Sequence, residues 1–215
     1  MDFAEVIKNR HATRYFSRQQ VKRSDIKEII AEAHTAPSWM NAQERKVYIA
    51  VGDTAKTVRT EFEERSKSGM IGISDFTEVH RNEWSQKAQN NMYNYSQSLE
   101  KELGDKLDDF VHSQDTIYNA PALLYLTLPK NPNRWAILDL GAFEQTILLS
   151  ATNRGIDSIV SYAIIKYPNI IRKYLPIPEE EEIAIGIALG YADDGQLLNR
   201  YRTDRVDIND VLYMR

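Results

Sequence analysis

The chain has 215 residues, 42% of them hydrophobic and 27% charged, the balance of an ordinary globular protein rather than a disordered one. A net charge of −4 without a dense Lys/Arg cluster argues against a nucleic-acid partner, and the lack of cysteine excludes disulfides, thiolate nucleophiles and Cys-ligated metals. No apolar run is long enough to span a bilayer or to form the core of a secretory signal, so a single cytoplasmic domain over 1–215, with no membrane partner, is expected.

The first helix is expected from Asp2 to about Arg10, with Asp2 as cap and Phe3, Val6 and Ile7 on one face. Ser24 opens a second, with Ile26, Ile29, Ile30 and Ala33 at three- and four-residue steps and Pro37 beyond its end. Lys46 to Val51 reads as a strand ended by Gly52 and Asp53, and Thr54 can cap a helix running to about Lys67. The stretch from Arg81 to about Val111 is polar and helical in pattern, with Met92, Tyr95, Leu99 and Leu103 on one face. It is expected to border a pocket or a partner.

Ala122 to Leu128 is a second strand stopped by Pro129, and Trp135 to Arg154 is a long, largely buried helix ended by Gly155. Ile156 to Ile165 reads as a strand and a turn, Pro168 to Tyr174 as a short helix, and Glu182 to Tyr191 as a strand buried on both faces. Inside that last strand, Gly186 and Gly190 point to close packing. The four carboxylates from Glu179 to Glu182 read as a solvated turn. From Asn199 onward, Tyr201, Val206, Ile208, Val211 and Leu212 carry too much apolar surface for a free tail, so these residues form an arm that covers something.

Several catalytic signatures are missing. No G-x-G-x-x-G follows a strand, and there is no P-loop, no G-x-S-x-G elbow and no H-E-x-x-H. The four histidines lack ligand spacing, so no metal is expected. Three features remain, each with a bland alternative. In the first, Arg10-His11-Ala12-Thr13-Arg14, the two arginines stand one helical turn apart and can face one anion, or can simply complement a helix end. The second is Pro37-Ser38-Trp39-Met40-Asn41-Ala42-Gln43, whose hydroxyl and amides can read a heteroaromatic edge or serve as turn chemistry. The third, Arg200 to Arg205, is a basic tail or a solvated arm.

Taken in order, these segments resemble the nitroreductase family over essentially the whole chain. The resemblance rests on RHATRYF (Arg10 to Phe16), PSWMNAQER (Pro37 to Arg45), DLGAFEQTILLSATNRG (Asp139 to Gly155), GIDSIVSYA (Gly155 to Ala163) and the Gly190-Tyr191 pair before a basic C-terminal element. It implies an α+β, three-layer sandwich with a mixed, mainly antiparallel sheet flanked by helices, and a C-terminal arm (199–215) exchanged in a homodimer. It also implies FMN at the dimer interface, and NADH or NADPH as a transient donor to a small acceptor of nitroaromatic, quinone or enal type, in ping-pong order.

By the same resemblance, Arg10, His11, Ala12, Arg14, Arg205 and, as a helper, Arg202 stand at the phosphate and ribityl end. Pro37, Ser38, Asn41 and Gln43 stand in a loop that reaches the flavin, Ser38 and Asn41 from the second subunit. Val160, Ser161, Tyr162 and Ala163 run along the ring, with a backbone N–H near Tyr162 or Ala163 toward N5. No side chain is required as an acid or base. The chain departs from the family pattern at Ala12, where serine is usual, and at Glu44-Arg45, where Pro-Trp is usual. The competing expectation is a flavin-storage protein without turnover, its ring face closed by Trp39, Tyr162 and the Tyr93 to Tyr95 segment.

Overall fold

The computed structural model describes residues 1–215. Its centre is a sheet of four strands, β1 (Lys46–Val51), β2 (Ala122–Pro129), β3 (Asp157–Val160) and β4 (Glu181–Gly190), in the order β1-β2-β4-β3. Every pairing in it is antiparallel, and the one parallel contact is an isolated bridge between Ala12 and Ser158. β2 and β4 lie at the middle, and both read as continuous apolar runs because each of their faces meets a helical layer.

Alternation along β2 sorts its side chains into those two layers. Leu123 and Tyr125 point to one core, which is closed by α3 (Asp53–Lys67) through Val58 and Phe62 and by α7 (Pro168–Tyr174) through Ile170 and Ile171. Leu124, Leu126 and Leu128 point to the other, closed by α2 (Arg23–Ala33) and α6 (Arg134–Asn153). The result is helix, sheet, helix: the three-layer sandwich expected from the resemblance.

Local chemistry accounts for most boundaries. Asp2 caps α1 (Phe3–Asn9) by accepting from the Ala4 N–H at 3.0 Å. Asn133 caps α6 through the N–H groups of Trp135 and Ala136. Two starts differ from expectation. α2 begins at Arg23, one residue before Ser24. α3 begins at Asp53 on Gly52, whose φ of +58° with ψ −130° is open to glycine and strained for Thr54's class of residue. In β4, a Cβ on Gly186 would collide with Ile164, and one on Gly190 would stand 2.7 Å from the Phe16 ring, so both glycines are there for close approach.

The polar segment after α3 folds into α4 (Gln86–Leu103) and α5 (Leu107–Asp115). Leu99 and Leu103 of α4 are buried, and they cluster with Leu198 and Tyr201 of the C-terminal segment. The excursion therefore rests on the beginning of the arm. Tyr201 is buried within its own chain, whereas Ile208, Val211 and Leu212 stay exposed. No helix is long and apolar enough to cross a membrane.

The expectation for the acidic run fails. The acidic run before β4 is not wholly solvated: Glu181 is buried and points back across the sheet. It accepts from Thr127 Oγ1 at 2.6 Å, from Tyr48 Oη at 3.1 Å and from Lys46 Nζ. Burial pushes this carboxyl up, but the hydrogen bonds from Lys46, Thr127 and Tyr48 outweigh it and hold the group below its ordinary value of 4.5. A depressed carboxyl contributes stability above its unfolded value and loses it as the pH falls through the folded one. Unfolding free energy should therefore decline on acidification below 4.5, and Glu181→Gln should flatten that limb. Denaturant titrations at a series of pH values check this; parallel profiles for the two proteins would refute the assignment.

Candidate functional site

Beside the end of β3 the chain leaves a cleft of about 370 Å³, lined among others by Arg10, Ala12, Gln145, Ser158, Val160 and Arg205. It joins three segments far apart in sequence, and each arrives for a local reason. α1 stops at Asn9; Arg10 and its successors run extended, and Ala12 bridges Ser158 of β3. The Arg10–Arg14 pair is therefore not one helical turn apart as expected, because the bridge to β3 overrides the helical spacing. Arg10 and Arg205, from opposite ends of the chain, are the arginines that converge on the cleft.

Neither Arg10 nor Arg205 enters an ion pair. The Arg205 guanidinium donates only to neighbouring groups, Thr203 Oγ1 at 2.8 Å and the Thr203 and Asp204 carbonyls. Glu144 of α6 borders the same cleft, and burial pushes its carboxyl above the ordinary range. Glu144 pairs with neither arginine, which leaves their charge available to an anion. His11 Nδ1 donates to the Asn9 carbonyl at 2.7 Å, since a carbonyl only accepts.

Arg14 is placed differently. It is 7% exposed, has no carboxylate partner and makes one side-chain hydrogen bond, to Ala12 O at 3.2 Å. Its guanidinium lies over the rings of Phe110 and Tyr201, 5.3 and 5.5 Å from their centroids. Arg202 is near enough to feel its charge: burial and then Arg14 push the Arg202 guanidinium down, opposed by Asp157. A buried guanidinium without a counter-charge is costly unless something supplies one. The residues present thus fit an anionic, hydrogen-bonding group.

Arg14 is held from the backbone. Asn199, itself buried, accepts through Oδ1 from the N–H groups of Arg14 (2.8 Å) and Tyr15 (3.0 Å), and donates through Nδ2 to the carbonyls of Tyr15 (2.7 Å) and Asp193 (3.0 Å). Sequence reasoning took Asn199 only as the start of the arm.

At the end of β3, the segment from Val160 to Ala163 turns away from the sheet. Ser161 Oγ accepts from the Ala163 N–H at 3.1 Å and lies 2.7 Å from Tyr118 Oη. The Ala163 N–H is therefore taken, and the Tyr162 N–H is the one left without an acceptor inside the chain.

The loop from Pro37 to Gln43 does not line this cleft in the single chain. Its backbone is left-handed at Met40, Asn41 and Gln43 (φ 48°, 63° and 51°). The turn is stapled by its own groups: the Gln43 N–H donates to Ser38 Oγ at 3.3 Å, and Gln43 Nε2 donates to Asn41 Oδ1 at 2.6 Å. From outside, Trp39 stacks on Trp135 with centroids 4.4 Å apart, and the Trp39 backbone N–H donates to Asp139 Oδ2 at 2.9 Å. Arg45, at one of the departures, donates to the carbonyls of His34 and Ala36 and lies over the Phe143 ring at 4.7 Å. It substitutes a cation–π contact and two hydrogen bonds for the usual aromatic wall.

The sequence matches the model of the nitroreductase family over residues 7–191. The chain belongs to that family. Among its relatives are a 4-nitrobenzoate reductase of Pseudomonas putida, 27% identical over 213 residues (95% of this chain, 91% of the relative), and one of Nocardioides sp. (strain LMS-CY), 28% identical over 205 residues (89% and 81%). The structure of the FMN-dependent nitroreductase NfnB from Mycobacterium smegmatis in complex with NADPH superposes with a TM-score of 0.90 at 24% identity, over 99% of this chain and 98% of that one. The candidate cleft of this nitroreductase fold is lined by Arg10, Ala12, Gln145 and Val160, whereas Arg14, Ser161, Tyr162 and Ala163 do not line it. Gln145, Glu144 and Ser158 were not singled out from sequence; Gln145 stands in the Asp139-x-Gly-x-x-x-Gln segment, which was the available signal.

Asn199→Ala should destabilise this nitroreductase by roughly 2–4 kcal/mol, since each buried group left unpaired costs about 1–3 kcal/mol. Asn199→Asp, which keeps the acceptor and loses the donor, should fall between. Thermal denaturation of the three proteins checks the order; an Ala variant as stable as the parent would rule out the clamp.

Proposed function

We propose that this chain is an FMN-dependent oxidoreductase that passes two electrons from NADH or NADPH to a small acceptor, with nitroaromatics the favoured class. The observation that carries the proposal is the convergence of the unpaired Arg10 and Arg205 on the cleft at the end of β3, with Val160 on its wall. Relatives named for 4-nitrobenzoate and nitrobenzene reduction support the acceptor class, and solved relatives described as FMN- and NADPH-dependent support the cofactor and donor.

The cations suit one terminal phosphate, and no glycine-rich loop is present to cradle a pyrophosphate, which favours FMN over FAD. FMN held there would supply the redox chemistry, a two-electron transfer between nucleotide and acceptor. The chain's own part is binding and orientation. Arg10 and Arg205, with His11, would hold the phosphate end, and Arg14 the buried polar edge beyond it. Arg202 donates to the carbonyls of Asn199 and Tyr201 and would assist through charge alone. Val160 to Ala163 would cover one face of the ring. Donor and acceptor are then left to share the other face in turn, which is ping-pong order. Without a Rossmann loop the nucleotide would be a transient visitor. No residue is assigned as proton donor.

The second subunit is part of the same proposal. Phe3 and Ile7 of α1, Trp135 and Leu138 of α6, and Ile208 and Leu212 of the arm are exposed. Covering that much apolar surface at about 25 cal/mol per Å² favours association. In a homodimer with exchanged arms, the stapled loop at Pro37, Ser38, Asn41 and Gln43 would be offered to the neighbouring cleft. Flavin storage without turnover would need Trp39, Tyr162 and Tyr93 over the ring. Trp39 is stacked on Trp135, Tyr93 faces solvent, and none of the three lines the cleft. A cytoplasmic location fits a chain without cysteine.

Acid should release FMN from the purified protein. Arg205→Ala should weaken FMN binding by about tenfold or more, the worth of a charge-assisted contact, while Arg200→Ala should not. Fluorescence titration of the apoproteins decides this, and equal affinities for the two variants would refute the placement.

A further inference from the structure

A second and larger cavity lies elsewhere, where the segment after Tyr15 passes the first turns of α3. It encloses about 870 Å³ and is bordered by Arg18, Lys56, Arg59, Asn119, Pro121 and Asp193. It shares no lining residue with the flavin cleft. In a chain of net charge −4, three cations on one cavity against a single carboxylate is an inverted local balance.

Those cations are also unengaged. None of Arg18, Lys56 or Arg59 enters an ion pair, and none of their side chains donates a hydrogen bond within the chain. Arg59 is the telling one. Its Nε is fully buried and has no partner, and burial pushes the guanidinium down, with no opposing charge to restore it. The single acid on the rim, Asp193, already accepts from the Gly195 N–H at 3.1 Å. A second observation concerns the backbone. Ile117, Tyr118 and Asn119 are consecutively left-handed, with φ of 46°, 57° and 59°, a conformation strained for a β-branched residue. The strained turn brings Asn119, whose carboxamide makes no hydrogen bond of its own, to the cavity rim.

We propose that this cavity is a second anion site, for a small phosphate-bearing ligand held by Arg18, Lys56 and Arg59 with Asn119 as a neutral donor. A dianion there would supply the counter-charge that the partly buried Arg59 guanidinium lacks. Free pyrophosphate and the diphosphate of a nucleotide present the same chemistry to these groups. The site stands apart from the redox cleft, so the proposal holds whether or not the flavin assignment does.

The test uses the full chain as purified, with its melting temperature followed against inorganic pyrophosphate, ADP and a chloride control of matched ionic strength. A ligand bound only by the native state raises the melting temperature with concentration. Pyrophosphate should do so, and Arg59→Met, which keeps the buried stem, should weaken the apparent affinity by about tenfold or more. Lys56→Ala, at an exposed helix position, should weaken it in the same direction and guards against a folding defect at Arg59. Flavin content should be unchanged in both. ADP acting at lower concentration than pyrophosphate identifies a nucleotide as the source; equal potency identifies free phosphate. No rise beyond the chloride control, or a full rise retained in both variants, would overturn the site.

Discussion

A single carboxamide ties the two ends of this chain together. Asn199 uses both its acceptor capacity and both donors on Arg14, Tyr15 and Asp193, across 185 residues of sequence to Arg14. The rest of the site depends on that closure. It fixes the extended run after α1, so that Ala12 can bridge Ser158 and Arg10 can turn toward the end of β3. It also sets where the arm leaves the body, with Tyr201 against Leu99 and Leu103 and Arg205 at the cleft. Buried amide networks of this kind are stable only when every group is satisfied, and this one is.

Around that clamp the site arginines stay out of ion pairs. Elsewhere the molecule pairs charges readily: Arg172 with Asp75 at 2.7 Å, Arg154 with Glu32 at 2.7 Å, Lys46 with Glu181. At the cleft it does not, and Arg14 is compensated only by aromatic faces. Unpaired, partly buried guanidinium groups cost stability, a cost that the proposed anionic ligand would offset. The departures from the family pattern fall on the margins of this arrangement. Ala12 removes a hydroxyl but keeps the carbonyl that Arg14 uses, and Arg45 rebuilds a wall by lying on Phe143.

The layers of the fold were legible because their signals are local. β1 and α7 match their apolar patterns residue for residue, and α6 and β4 match within a residue or so. What stayed hidden was long-range. Arg10 to Arg14 has helical spacing, and only the bridge to Ser158 pulls it straight. Glu181 sits in an acidic run, and only the pairing of β4 with β2 turns it inward to Thr127. Met40 and Gln43 give no sign of left-handed backbone, since neither favours it; the conformation is imposed by the staples around Ser38, Asn41 and Asp139. The candidate site residues rest on resemblance, and only the fold shows that Arg10 and Arg205 share a cleft.

The most direct test of the flavin assignment is spectroscopic. The purified chain, its bound FMN oxidised, is mixed anaerobically with NADH or NADPH, freed of nucleotide on a desalting column, and then given 4-nitrobenzoate. Flavin absorbance should bleach with the nucleotide and return with the acceptor after the donor has gone. A colourless protein that takes up no FMN, an absorbance indifferent to both nucleotides, or a bleached protein that recovers only while the nucleotide remains bound, would contradict the account.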